Sequence, residues 1–386
     1  MRLTKHLRIL AALAAFTAGF GSVGSVHAAE TVKVGVLLSV SGPAAPFGIP
    51  ERDTIQILAD KYNASAGPNG RKLELIFHDE QTNPTEAARG ATKLIQQDKV
   101  QVIIGPTIGS SALAMMPIAA ANSIPVLAPV GTIAVTQQPS FFPWIFRVCP
   151  NDEMLVRGSM EKGVFKPGYK RIAVMFQEDA YGKGSSQLAE KLAKEKGVEV
   201  VAMVGAEGKS IDLTSAATNI RNAKPEAVLL WTSSPGMAAA FVRAANQVGL
   251  HVPVIGSGAL TQRSFISAAA GAADKVLLIS LANWDDPTPK LQALDKVLRA
   301  AGKTPSGFGE LLASAAMVTL TEGLKKVEGQ VTGQKLRDAL ESLGRFDNPY
   351  VDGHLTYNSS DHEGFGTDAL QPVVIRDGKF KTVEGK

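Results

Sequence analysis

The chain has 386 residues, 45% hydrophobic and 20% charged, too long for one ordinary domain and too apolar for a disordered chain, so two domains are expected. Its single cysteine, Cys149, excludes a disulfide framework, an iron–sulfur cluster and a cysteine-built zinc site. A formal charge of +4 suggests a mildly basic protein until its origin is traced.

That origin is the first stretch of the chain. Arg2, Lys5, His6 and Arg8 precede the apolar run Ile9 to Phe20, and small residues lead to Val26-His27-Ala28-Ala29, the pattern of a secretory signal peptide over residues 1–29. The run is about a dozen residues, short of the ~20 that span a bilayer, and no cysteine follows it to carry a lipid. A soluble, untethered mature chain is therefore expected. Taking Arg2, Lys5 and Arg8 from the 40 basic residues leaves 37 against 36 acidic ones, so the mature chain is nearly neutral and gives no support to nucleic-acid binding.

From Thr31 onward, short β-type runs alternate with amphipathic helical stretches. Val32 to Leu38 predicts a strand, Phe47 or Pro50 to Asn63 a helix, Leu73 to Phe77 a strand, Thr85 to Asp98 a helix, Val100 to Ile104 a strand, Ser110 to Ala121 a helix and Pro125 to Ala128 a fourth strand. The rhythm restarts at Ile172–Phe176, followed by a helix over 184–196, strands at 198–204 and 227–231, a helix over 237–248, strands at 252–255 and 276–279, and a short helix over 262–270 between those two. Such alternation indicates βαβ units and parallel sheets covered on both faces, hence two α/β domains of similar plan. Helices over 289–301, 311–327 and 333–343 have no strands of their own and must cover a sheet already built. The chain is thus expected to return to the first domain after about Leu281 and, with the strand-like Gly353–Tyr357 and Pro372–Ile375, to the second, giving a hinge of three crossovers. The domains expected are 30–148 plus 283–349 and 149–282 plus 350–386.

Enzyme signatures fail on inspection. Tyr181-Gly182-Lys183-Gly184-Ser185 has Gln177 where a phosphate loop needs glycine, and Gly256-Ser257-Gly258 lacks nucleophile-elbow spacing. His78, His251, His354 and His362 form no pair with metal-ligand spacing. Asp79-Glu80 reads as a solvated cap or salt-bridge site, and Cys149 as a packed small hydrophobe. What remains are glycine- and hydroxyl-containing loops at strand ends, where open α/β sheets hold ligands. Gly105 to Ser111 opens a helix whose first N–H groups suit an anion, although Ser110 alone reads as a helix cap, and Ala128 to Thr132 has the same character one strand later.

These stretches carry a resemblance over essentially the whole mature chain. Ser41-Gly42-Pro43 with Phe47-Gly48, Tyr62-Asn63-Ala64 with Gly70 to Leu75, Asp79 with Asn83-Pro84, Ile104-Gly105-Pro106 with Ser110-Ser111, Pro129 with Thr132, Asp179 to Gly184, and Gly353 to Tyr357 together resemble the periplasmic leucine/isoleucine/valine-binding proteins, the type I solute receptors of ABC importers. The resemblance implies two doubly wound parallel-sheet lobes that close on a solute, a periplasmic location, an inner-membrane ABC permease as partner, a monomer, and neither enzymatic activity nor cofactor nor metal.

Carried over by position, Thr132 and the Val130 backbone fall where the family binds the ligand carboxylate and shares its amino group. The family's serine falls at Gly109, leaving Ser110 to substitute or the hydroxyl absent. Phe47 falls at an aromatic wall, and Tyr181 at a tyrosine facing the cleft. The family's tyrosine is replaced by Ser233, and the acid that pairs with the ligand ammonium by Gly258. An ammonium buried without a counter-ion costs several kcal/mol, by order of magnitude enough to erase micromolar affinity. Either another carboxylate such as Asp179 takes the role, or the ligand has no ammonium. The expectation therefore favours a small carboxylate with a hydrophobic or aromatic body, with a branched-chain amino acid as the family default. Two alternatives stand beside it: a secreted serine hydrolase using Ser110 or Ser257, and a ligand-sensing receptor for a signalling partner.

Overall fold

A computed structural model describes residues 30–65, 67 and 70–383; the leader expected over 1–29 lies outside them. Strands β1 (Thr31–Leu38), β2 (Lys72–Asp79), β3 (Val102–Ile104), β4 (Val126–Ala128) and β5 (Ile145–Arg147) form a parallel sheet in the order β2-β1-β3-β4-β5. Every residue of β3 and β4 is apolar and buried, as strands covered on both faces require. Helices α1 (Ala45–Ala64), α2 (Pro84–Gln96), α3 (Gly109–Ala121) and the short α4 (Ala134–Gln137) connect them.

The chain then crosses at residues 148–151 and repeats the plan. Helix α5 (Asp152–Met160), capped by the Asn151 side chain, runs into a π-turn at Glu161–Phe165. Strands β6 (Arg171–Gln177), β7 (Glu199–Ala206), β8 (Ala227–Trp231), β9 (Val254–Gly256) and β10 (Leu277–Ser280) adopt the equivalent order β7-β6-β8-β9-β10. Helices α6 (Ala180–Glu195), α7 (Thr214–Asn222), α8 (Pro235–Gln247) and α9 (Arg263–Ala269) connect these. The strandless helices α10 (Pro289–Ala300), α11 (Gly309–Lys326) and α12 (Gly333–Glu341) follow, with α10 and α11 packed on α1 and α12 on α11.

The C-terminal segment departs from expectation. The segment at 354–358 does not join the second sheet: β11 (Gly344–Asp347), β12 (His354–Asn358) and β13 (Asp361–Phe365) form their own antiparallel sheet against β5. Leu355 and Tyr357 are its buried face, and the Tyr357 hydroxyl donates to the Arg147 carbonyl at 2.7 Å. Only β14 (Gln371–Arg376) and β15 (Lys379–Thr382) return to the second sheet, β14 antiparallel to β10. β5 and α5 were also not anticipated, since one has three residues and the other is short and largely polar.

In each sheet the strand order turns back on itself between β1 and β3 or between β6 and β8, the switch point where open α/β sheets leave a crevice. Each lobe sets its first helix against that crevice in the same way. A Cβ on Gly48 would lie 2.0 Å from the Ser39 carbonyl oxygen, and one on Gly182 would lie 2.0 Å from that of Gln177. Absent side chains thus let α1 and α6 press against the ends of β1 and β6. The preceding residues, Phe47 and Tyr181, are carried to the cleft. Gly182→Ala is expected to overpack this junction and destabilise the fold by roughly 1–3 kcal/mol, read as a lowered midpoint in chemical denaturation.

Candidate functional site

A narrow cleft lies between the lobes, lined where open α/β sheets place their ligands. Most of its walls come from the carboxyl ends of strands and the helices that follow, joined by Phe308 and Leu312 at the start of α11. The first lobe contributes Ala44, Phe47, Thr107, Ile108, Gly109, Pro129 to Thr132, Phe308 and Leu312. The crossover and second lobe contribute Cys149, Asp152, Leu155, Asp179, Tyr181, Ser233 and Ala259. The lining is mostly apolar and includes neither lysine nor arginine.

Two glycines clear space for two oxygens. A Cβ on Gly109 would lie 1.8 Å from Thr132 Oγ1, so the Thr132 hydroxyl sits in the volume a side chain would need at the start of α3. A Cβ on Gly131 would lie 2.1 Å from Asp152 Oδ1. Thr132 and Asp152 are 2% and 1% exposed, and neither oxygen has a hydrogen-bond partner among the described residues. Burial pushes the Asp152 carboxyl well above the carboxylate range; Arg147 works against this, and Asp179 and Glu363 add to it. Asp179, the cap of α6, is also raised by burial, although its oxygens accept from the Gly182 N–H and the Gln177 amide.

The loop that carries Thr132 is held from behind by Arg147, a wholly buried residue of β5. Its guanidinium donates to the carbonyls of Val130 and Thr132 and to Thr136 Oγ1, and pairs with Glu363 at 3.0 Å. Asn151 donates to the same Glu363 oxygen at 2.7 Å. Burial alone would raise the Glu363 carboxyl, but Arg147 and Asn151 hold it below its ordinary value. Gly364 packs where any Cβ would meet the Arg147 carbonyl oxygen at 2.2 Å.

Behind the first-lobe wall lies a second set of acids. Glu51 accepts from Thr107 Oγ1 at 2.7 Å, and Glu80 accepts from Ser39 Oγ and the Thr107 N–H. Burial lifts Glu51 to about 8, with Glu80 and Glu310 adding to the rise, and lifts Glu80 to about 7. Glu80 is therefore not the solvated residue that Asp79-Glu80 suggested. Asp79 instead ties the loop after β1 through the N–H groups of Val40 and Ser41.

Of the residues singled out in the sequence, Phe47, Gly109, Val130, Thr132, Tyr181 and Ser233 meet in this one cavity. Ser110 and Gly258 do not line it. Ser110 is half-buried on α3, which begins after Ile108 with no side-chain cap, so the capping role expected for it is absent. A Cβ on Gly258 would lie 2.3 Å from the Ile279 carbonyl oxygen, so no acidic side chain fits there; Ala259 faces the cavity instead. Asp152, Cys149, Phe308 and Leu312 were missed as site residues. Asp152 carried one usable signal, an acid just past a predicted lobe boundary. Ser257 is buried and donates to the Thr232 carbonyl, and none of the four histidines lines the cavity. Among the described residues no group of three or more His, Cys, Asp or Glu is placed to hold a metal, and no helix is long and apolar enough to cross a membrane.

Two α/β lobes of one plan with a cleft between their strand ends are the architecture of a two-lobed binding protein, and the relatives of this chain are solute-binding proteins, not enzymes. The chain belongs to the periplasmic binding protein family, whose model matches residues 31–379, and within it to the leucine/isoleucine/valine-binding type. It is 27% identical over 337 residues, 87% of each chain, to the leucine-, isoleucine-, valine-, threonine- and alanine-binding protein of Pseudomonas aeruginosa. An extracellular ligand-binding receptor from Rhodopseudomonas palustris HaA2 superposes with a TM-score of 0.82 at 23% identity, covering 92% of this chain and all of that one. A solute-binding protein of an ABC transporter from R. palustris, in complex with benzoate, does so with a TM-score of 0.79 at 24% identity, covering 92% and 95%. Members of the family are periplasmic, bind small solutes and work with ABC permeases.

Two outcomes follow from the buried charges. Arg147→Met strips the Val130 and Thr132 carbonyls of their buried donor and leaves the part-exposed Glu363 without its cation, and should cost about 1–3 kcal/mol, seen in urea unfolding. Glu51 titrates near 4.5 when unfolded and near 8 when folded. The unfolded chain thus sheds a proton across that window while the folded chain keeps it, and this part of the stability, complete below 4.5, is lost as pH rises through 8. Glu51→Gln should flatten the fall of melting temperature between these values; an unchanged slope would show that Glu51 is not the group responsible.

Proposed function

We propose that the chain is the solute-capturing component of an ABC importer of the branched-chain amino acid type, and that its cleft takes a small α-amino acid with an aliphatic or aromatic side chain. One observation carries this reading: Thr132 Oγ1, against Gly109, and Asp152 Oδ1, against Gly131, are buried and without a partner among the described residues in a cavity otherwise lined mainly by apolar groups. A ligand carboxylate at Thr132 and the first N–H groups of α3 leaves the ligand ammonium next to Asp152. Phe47, Phe308 and Leu312 then surround the side chain. Asp152 supplies the counter-ion whose absence at Gly258 argued for a ligand without an ammonium, and so turns that expectation round. The name of the P. aeruginosa relative, with its five small or aliphatic amino acids, agrees with this chemistry. Residues 1–29 serve as the leader that directs the chain to the periplasm.

The benzoate-bound relative and the same apolar walls support a second reading, an aromatic carboxylate held with Asp152 neutral. A thermal-shift screen separates the two. A ligand at a hundred times its dissociation constant stabilises the folded state by roughly 2.7 kcal/mol. Leucine, valine, alanine or phenylalanine should raise the melting temperature, with their deamino counterparts and benzoate inert; the reverse pattern overturns the proposal. Asp152→Asn should weaken the amino acid at least ~100-fold, the equivalent of about 3 kcal/mol.

A further inference from the structure

We propose that Asp152 holds a proton in the empty cleft and gives it up to solvent when an amino acid is captured, so that solute binding is linked to proton release. This rests on the ammonium reading above, and it begins with what surrounds the carboxyl. Asp152 opens α5 at the crossover between lobes and is 1% exposed, with Oδ1 pressed against Gly131 and no donor to that atom among the described residues.

The groups facing it come from four directions. From β5 comes Arg147, four of whose five N–H donors go to Val130, Thr132, Thr136 and Glu363 and none of whose hydrogen bonds reaches Asp152. From β13 comes Glu363, and from α6 come Asp179, Tyr181 and the Ser185 hydroxyl; Cys149 precedes it on the crossover. The cation is therefore committed elsewhere, and the other ionisable neighbours are acids. A bare carboxylate in such a place lacks the pairing that burial demands, and the lower-energy empty state keeps the proton. The perturbation of Asp152 already described has the same direction.

An arriving ammonium reverses the balance. It brings the missing positive charge and donors to the carboxyl, the ionised form becomes the better partner, and the O–H bond of Asp152 breaks with the proton leaving to buffer. No other atom changes its bonding. The sign distinguishes ligand classes, because a carboxylate without an ammonium is best held by a protonated Asp152 and would take up protons or exchange none.

Titration calorimetry of the wild-type protein with L-leucine, or with whichever of valine, alanine and phenylalanine gives the larger thermal shift, tests this in two buffers of different ionisation enthalpy at about pH 6.5. Net proton release on binding is expected, with the dissociation constant falling as pH rises by at most about tenfold per unit. Enthalpies that agree between buffers, or that report proton uptake, overturn the proposal. Glu51 and Glu80 also titrate near neutrality behind the first-lobe wall, so Asp152→Asn is the assigning variant: binding should weaken and lose its buffer dependence. Release that persists in Asp152→Asn overturns the assignment; if that variant binds too weakly to measure, the wild-type comparison decides. Failure of every α-amino acid to bind removes this proposal together with the reading it rests on, whereas binding without release removes this one alone.

Discussion

The cleft depends on one buried cation. Arg147 sits at the edge of the first sheet, where the chain is about to leave that lobe, and its guanidinium takes hold of the loop after β4 from behind. With the carbonyls of Val130 and Thr132 engaged on that side, the Thr132 side chain faces the cavity. The same guanidinium is neutralised by Glu363, which arrives from the last third of the sequence. One ion pair thus shapes the binding loop and anchors the small third sheet beside the hinge. Its desolvation is offset by four hydrogen bonds and the charge of Glu363, so losing one of these partners is costly.

Around that anchor the site is built by subtraction. Gly48 and Gly182 admit α1 and α6 to the strand ends, Gly109 admits the Thr132 hydroxyl, and Gly131 admits the Asp152 carboxyl. Each missing Cβ leaves room for an oxygen of another element, a backbone carbonyl at Gly48 and Gly182 and a side chain at Gly109 and Gly131. The two lobes share the first device, an aromatic residue followed by glycine, so Phe47 and Tyr181 look into the cavity from related positions. They do not share the second. The hydroxyl is first-lobe and the acid belongs to the crossover, which suits a ligand with two unlike ends.

A receptor faces opposing demands on its polar groups, which must be unpartnered enough to gain from a ligand and stable enough to stay buried without one. Thr132 meets this as a neutral hydroxyl. Asp152, Asp179 and the Glu51–Glu80 pair meet it as carboxyls held towards the neutral form by burial. The cost is a stability that declines with rising pH, which a protein of this kind can bear because its large apolar core carries the fold.

Much of this was legible in the sequence. Alternating Val-rich runs and amphipathic stretches dictate βαβ units, because a run apolar on both faces must be covered on both faces. Phe47 and Tyr181 were placed at the cleft by the family resemblance, and both line it. The role of Gly258 was misjudged for a related reason: sequence shows that no acid is there, but not that the Ile279 carbonyl forbids one. Asp152 gave no periodic signal, since its importance comes from Gly131, Arg147 and Glu363, which lie up to two hundred positions away. The segment Gly353–Tyr357 reads as a second-lobe strand, yet with 361–365 it packs beside β5 through Tyr357, His362 and Glu363. Local pattern determined the elements, their layers and the family; which side chains share a cavity, and which carboxyl stands without a partner, was decided only by tertiary packing, because a partner or its absence is a property of space and not of order along the chain.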